Sequence, residues 1–197
     1  MLKDVFVVGI AGKLQNGKST LADMIIDIAK TKDMSAIKFA FAGEVKRVAI
    51  DEFGWDGNKD GPGRTLLQMI GTDTGRTYNY NIWVEKLDNI ISKIKKDIDI
   101  IIIDDVRFYN EIEYIKKFKN NLMIRVDLKK SFFLKLLDYI IDFFSLCHKS
   151  EQKLKAEYFD IIILNDKNCG ISLLNNYAKR IFMNNIFFRL VEKKYGE

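Results

Sequence analysis

The sequence predicts an α/β protein: a three-layer, open parallel sheet of about five strands with helices on both faces. Three observations lead there. Short β-branched runs recur along the chain, helical patterns fill the gaps between them, and the runs near 100 and 162 are almost continuously apolar. Strands without polar alternation are those covered by helices on both faces. The predicted strands are residues 4–9, 36–39, 98–103, 122–126 and 159–164. Between them, residues 18–31, 43–53, 65–71, 82–96, 109–119 and 171–181 carry apolar side chains at spacings of three and four, the period of a helix with one buried stripe. Regular alternation of this kind gives parallel βα units.

At 197 residues, 48% apolar and 30% charged, the chain has the size and composition of one globular domain. No repeat or low-complexity tract divides it. The strongest loop signal is Gly54 to Gly63, where four glycines and the only proline collect. Two cysteines outside any C-x-x-C pair and a single histidine leave no ligand set for zinc and no disulfide framework, which favours a reducing, cytoplasmic setting. The start of the chain carries Lys3 and Asp4 before a short apolar run, so neither a signal peptide nor a membrane span is expected. The net charge of +5 admits phosphate-bearing partners. Only seven of the 32 cations are arginine, and Arg47, Arg64, Arg76 and Arg107 lie within one stretch. Arginine's planar fork suits bidentate anion binding, which points to that stretch.

The decisive motif is Gly12-Lys13-Leu14-Gln15-Asn16-Gly17-Lys18-Ser19, a complete G-x-x-x-x-G-K-S between the first predicted strand and the first helix. Such a loop curls so that successive N–H groups face phosphate oxygens, and the helix adds its positive end. Lys18 is expected on the β and γ phosphates of ATP and Ser19 on magnesium, with Gly12, Asn16, Gly17 and Thr20 completing the nucleotide cradle. The third strand runs into Asp104-Asp105-Val106-Arg107 at the carboxyl edge of the sheet, where ligands of such sheets bind. One of the two aspartates is expected to share the magnesium with Ser19, the other to build a turn or cap a helix; Asp105 is the preferred metal partner. Arg107 is expected to face the transferring phosphate.

In order and spacing, four further stretches resemble the P-loop deoxynucleoside monophosphate kinases of the bacteriophage type, along most of residues 1–181. They are Arg64-Thr-Leu-Leu-Gln68-Met-Ile-Gly71-Thr72-Asp73 with Arg76 and Ile82-Trp83-Val84; Asp105-Val-Arg107-Phe-Tyr-Asn110-Glu111; His148-Lys-Ser150-Glu151; and Phe159 to Asp166. The resemblance implies transfer of the γ-phosphate of ATP to a deoxynucleoside monophosphate. It implies a single kinase domain over 1–197, with an acceptor-binding region at about 40–97 and a lid-region insertion at about 128–155. In that pattern Arg64, Arg76 and Arg107 clamp the phosphates, and Gln68 reads the acceptor base. Lys46 and Trp83 lie near the acceptor, and Asn165 and Asp166 lie at the adenine end of ATP. Lys18, Arg76, Asp105 and Arg107 are the expected catalytic set. A phage-encoded protein would work in the host cytoplasm. Structural readings stand beside these: Arg64 as a helix-start residue, Gln68 exposed, Trp83 as packing, and Asn165-Asp166 as a turn.

Where this family places an arginine-containing lid, the chain has Lys129-Lys130 and then a strongly apolar stretch, Phe132 to Phe144. It is expected to form a helix covered either by the apolar side of a tail helix over 181–195 or by a second copy in a homodimer. Another small P-loop kinase, acting on dephospho-coenzyme A or adenylate, is the alternative within the enzyme class. A basic nucleic-acid-binding P-loop protein is the alternative outside it. No dense basic stripe with interleaved aromatics supports a stable nucleic-acid partner, and no membrane partner is expected.

Overall fold

In the computed structural model, which describes residues 5–94, 98–129 and 154–195, five parallel strands form one sheet. They are β1 (Phe6–Ala11), β2 (Ala36–Phe39), β3 (Ile100–Val106), β4 (Asn120–Leu128) and β5 (Ile161–Asn165), in the spatial order β2-β3-β1-β4-β5. β1 is central, pairing with β3 from Phe6↔Ile100 and with β4 from Phe6↔Asn120. Its six residues, Phe-Val-Val-Gly-Ile-Ala, are all buried, because a strand covered on both faces has no position for a polar side chain.

The two faces bury separate cores. On one, Val7, Ile101, Ile103 and Met123 pack with α2 (Phe41–Phe53), α5 (Ile82–Ile91) and α6 (Tyr109–Lys116). On the other, Phe6, Val8, Ile10, Ile100, Ile102 and Ile124 pack with α1 (Lys18–Lys30) and α7 (Gly170–Ile181). This is the expected three-layer α/β architecture. Gly9 permits the close seat of α6, since a Cβ there would lie 2.6 Å from both Ile115 Cδ1 and Met123 Sδ.

Three elements differ from the sequence pattern. The loop after α2 ends earlier than its glycines suggest: the Asp60 carboxylate accepts the Gly63 N–H at 2.8 Å, and Pro62 occupies the first turn of α3 (Gly61–Gln68). Beyond α3 the chain continues helically as a π-turn over Met69–Thr74, then as α4 (Gly75–Tyr78). Gly75 is required there, because a Cβ would meet the Ile70 carbonyl oxygen at 2.3 Å and the Trp83 ring at 3.0 Å. The tail widens at Phe182–Phe187 before α8 (Phe188–Tyr195), and Phe182 and Ile186 are buried on the α1 side of the sheet.

The chain leaves β1 toward one edge of the sheet and leaves β3, through α6, toward the other. That reversal opens a crevice beyond the carboxyl ends of β1 and β3, and both the glycine-rich loop and Asp104–Arg107 sit there. The expected apolar helix of 132–144 and the His148-Lys-Ser150-Glu151 stretch lie outside the described residues, whereas the tail expected over 181–195 is helical and buries Phe182 and Ile186 on the α1 side of the sheet. Among the described residues, no helix is long and apolar enough to cross a membrane.

Candidate functional site

The loop between β1 and α1 has the backbone of a phosphate cradle. Gly12 (φ +144°), Gln15 (φ +62°) and Gly17 (φ +96°) all lie at positive φ. Glycine is demanded at two of them. A Cβ at Gly12 would stand 2.3 Å from the Val126 carbonyl oxygen, and one at Gly17 would meet Asn165 Nδ2 at 2.9 Å and Leu174 Cδ1 at 3.0 Å. The loop is bolted to the sheet from beneath. Asn16 is buried and donates to the Val126 carbonyl at 2.7 Å, while Asn165 donates to the Asn16 carbonyl at 3.0 Å. Lys18 Nζ reaches back over the loop to the Lys13 carbonyl at 2.8 Å, and Ser19, in the first turn of α1, is exposed. A loop held this rigidly presents its amides with little reorganisation left for the ligand.

The two aspartates at the end of β3 face different ways. The register slips between Gly9 and Ala11 of β1, whose partners are Ile103 and Val106, so β3 carries an extra residue at this point. Both oxygens of Asp105 accept N–H groups at the start of α2, from Phe41 and Ala42, each at 2.8 Å. Asp105, expected on the metal, is thus the N-cap of a helix whose own Ncap residue, Ala40, has no side chain to offer. Burial holds its carboxyl above the ordinary aspartate range, against the pull of those two N–H donors. Asp104 continues the alternation of Ile100 and Ile102 toward the face that α1 covers, and it is buried.

Arg76 and Glu111 form a buried ion pair through Arg76 Nη2 and Glu111 Oε1, their side chains 7% and 2% exposed. Arg76 Nη1 also reaches the Tyr80 carbonyl and Asn110 Oδ1, both at 3.3 Å, and the guanidinium lies 3.7 Å above the Phe108 ring. Its Nε is buried without a partner. The second oxygen of Glu111 accepts the N–H groups of Arg107 (2.6 Å) and Phe108 (3.0 Å). Burial pushes the Glu111 carboxyl up to about 7, Arg76 and the two N–H donors pull it down, and Asp105 adds repulsion. Arg76 therefore acts here as a tertiary tie between α4 and α6, while Arg107, its N–H held by Glu111, is exposed at the edge of the sheet.

The other expected positions divide clearly. Trp83 is 1% exposed and donates to the Gly71 carbonyl at 2.8 Å, the packing role. Arg64 is exposed and donates to the Lys59 carbonyl at 2.8 Å; Gln68 is exposed at the end of α3; Lys46 is half-buried on α2. Arg47 is paired with Glu44 and Asp51 along α2. Thr20 is half-buried in α1. Asp166 caps a turn through the Asn168 N–H at 3.0 Å and pairs with Lys129 at 3.1 Å, which together hold its carboxyl below the usual range. The structure adds Glu111 and Asn110, which knit the site together, and a cavity of about 220 Å³ lined by Tyr80, Arg107, Phe108, Tyr109, Lys155 and Tyr158. Arg76 and the adjacent Asn110-Glu111 pair were the signals of this network in the sequence.

Among the described residues no group of three or more His, Cys, Asp or Glu side chains gathers as a metal site. A magnesium ion carried by a nucleotide needs less than that: one or two protein oxygens beside phosphate and water. The Ser19 hydroxyl and the Asp104 carboxylate are hard oxygen donors of the right kind.

No family model and no curated protein matches the sequence. Among solved structures, the chain is similar to the APS kinase of Mycobacterium tuberculosis in complex with AMPPNP and APS, at 12% identity and a TM-score of 0.48, covering 96% of this chain and 98% of that one. It is also similar to the shikimate kinase of Acinetobacter baumannii in complex with shikimate, at 12% identity and a TM-score of 0.44, covering 94% and 97%. At this identity each is a likeness of fold alone.

Proposed function

We propose that this chain is an ATP-dependent phosphotransferase that moves the γ-phosphate of ATP to a deoxynucleoside monophosphate, yielding ADP and the diphosphate. The observation that carries the reading is the braced loop of residues 12–19 beside the Asp104–Arg107 edge, with a cavity opening at Arg107. Phosphoryl transfer asks little covalent chemistry of a protein and much alignment and charge neutralisation. The residues supply that. The loop amides and the start of α1 hold the β and γ phosphates of ATP, and Lys18 exchanges its bond to the Lys13 carbonyl for phosphate oxygen. Arg107 draws the acceptor phosphate toward the γ-phosphorus and balances charge as the bond between them forms. Ser19 and Asp104 would hold a magnesium ion, which supplies neutralisation of the β and γ oxygens when bound. Asp105 keeps α2 in place and leaves that role to its neighbour. The choice of a deoxynucleotide acceptor rests on the sequence pattern from Arg64 to Trp83 and on the cavity beside Arg107.

The test is ADP release, coupled to a chromogenic reaction, across all deoxynucleoside and ribonucleoside monophosphates and dephospho-coenzyme A. At least one deoxynucleoside monophosphate should be phosphorylated well above background ATP hydrolysis. Lys18→Ala and Arg107→Ala, each folded by circular dichroism, should lower turnover at least 100-fold, as loss of a preorganised cation at a transition state does. Phosphorylation of dephospho-coenzyme A alone would refute the proposed acceptor.

A further inference from the structure

The cavity beside Arg107 has walls of unusual construction. Tyr80 and Tyr109 are large aromatic residues left 50% and 46% exposed, and Tyr80 stands on pinned backbone. The Tyr80 carbonyl accepts from Asn110 Nδ2 at 2.9 Å and from Arg76 Nη1 at 3.3 Å, two buried or half-buried donors. Phe108, between them, has the Arg76 guanidinium 3.7 Å above one face of its ring, and its N–H is held by Glu111. Tyr158 closes the far side, its ring centre 5.1 Å from that of Tyr109 at a tilt of 55°. Exposed aromatic rings on a rigid frame are what a stacking platform requires, because the ordering has been done before the ligand arrives.

The charges at the cavity are cationic. Arg107 and Lys155 line it, and Lys155 has Glu157 at 3.5 Å as a solvent-exposed companion. Glu113 beside Tyr109 raises that phenol above the ordinary tyrosine range, and tyrosine hydroxyls can donate or accept. At about 220 Å³ the cavity is smaller than the sites that enclose a whole drug-sized ligand, and it suits a planar ring with its charged tail left outside.

We propose that this cleft binds the nucleobase of the acceptor nucleoside monophosphate, stacked among Tyr80, Phe108 and Tyr158, with Arg107 and Lys155 on the phosphate side. The inference rests on the phosphotransferase reading above and names where its acceptor is recognised. The cleft lies on the α5 and α6 side of the sheet, the face opposite the one that α1 covers. Base and phosphate would then meet the loop of residues 12–19 from the side away from α1. In this arrangement Arg76 and Glu111 position the site without touching the acceptor: one backs the Phe108 ring, the other fixes the Arg107–Phe108 backbone.

The experiment compares wild type with Tyr80→Ala, Tyr80→Phe and Tyr158→Ala, reading KM and kcat for the best deoxynucleoside monophosphate and, by calorimetry, the affinity for AMP-PNP with magnesium. Tyr80→Ala keeps the bonded carbonyl and removes only a half-exposed ring, so folding is preserved. Base–aromatic stacking predicts a rise of about 5- to 100-fold in acceptor KM for each alanine variant. AMP-PNP affinity should stay within about twofold, and Tyr80→Phe should restore most of the loss. An unchanged KM in both alanine variants overturns the inference and leaves the kinase reading standing. Equal losses of acceptor and AMP-PNP binding also overturn it, by showing a merely structural role. If wild type phosphorylates no nucleoside monophosphate, the kinase reading itself falls and takes the inference with it.

Discussion

Replacing Glu111 by glutamine should flatten the dependence of stability on pH. The carboxyl lies at about 7 in the folded chain against an ordinary 4.5, chiefly because it is buried. The folded state therefore binds this proton more tightly than the unfolded state. The stability due to this group is full below pH 4.5, falls as pH rises through 7, and then levels. At 1.36 kcal/mol per unit, the displacement amounts to about 3 kcal/mol. The assay is urea unfolding of wild type and Glu111→Gln at steps between about pH 5 and pH 8. Wild type should lose about 3 kcal/mol more than the variant over that range. The exposed Asp56 and the half-buried Asp166, both lowered, are present in both proteins and cancel in the comparison, whereas Asp105 is coupled to Glu111 by repulsion and its response is part of the difference read. Arg76→Met supplies a second arm: Arg76 is the charge that pulls Glu111 down, so its removal should carry the decline to higher pH. Parallel pH profiles for wild type and Glu111→Gln would refute the reasoning. They would mean that Arg76 and the two backbone donors fully offset burial and that Glu111 stays ionised throughout.

Asp104→Asn should lower turnover at least tenfold, raise the magnesium concentration needed for half-maximal rate, and leave the melting temperature unchanged, whereas Asp105→Ala should lose the α2 cap and about 0.5–2 kcal/mol of stability in denaturant titration. Gly12→Ala should be destabilised by about 3 kcal/mol or more in the same assay, because its Cβ would stand 2.3 Å from a backbone oxygen at a φ disfavoured for L-residues; a variant as stable as wild type would show that the loop can move off β4.

Much of this fold was legible because its signals are local. The apolar run at 100–103 and the glycine and lysine positions at 12–18 each state their structure within a few residues. The boundaries that shifted did so for side-chain reasons a period does not carry, such as the Asp60 cap that starts α3 among glycines. The π-turn at 69–74 arises where the Trp83 indole donates to the Gly71 carbonyl, a contact between residues twelve apart. Arg76 was legible as an important arginine but not as a buried one. Its partner Glu111 is 35 positions away, and only the packing of α4 against α6 brings the two together.

The division of work at the end of β3 shows what limits a reading of the sequence there. Asp104 and Asp105 are chemically identical neighbours, and either could serve the metal or the helix. What separates them is strand alternation, which carries Asp104 to the face of Ile100 and Ile102 and Asp105 to the face of Ile101 and Ile103, a parity that neither residue type announces. Asp105 thus meets the two N–H groups at the start of α2, and one extra residue in β3 relative to β1, a β-bulge, returns Val106 to the α2 side as well, in the core that holds Ile101 and Ile103. Without it, strict alternation would place Val106 on the face of Ile102. Arg107 would be redirected as well. The bulge thus sets the aim of Val106 and, with it, of Arg107 just past the two aspartates. The site's chemistry depends on a backbone irregularity as much as on the residues that carry the charge.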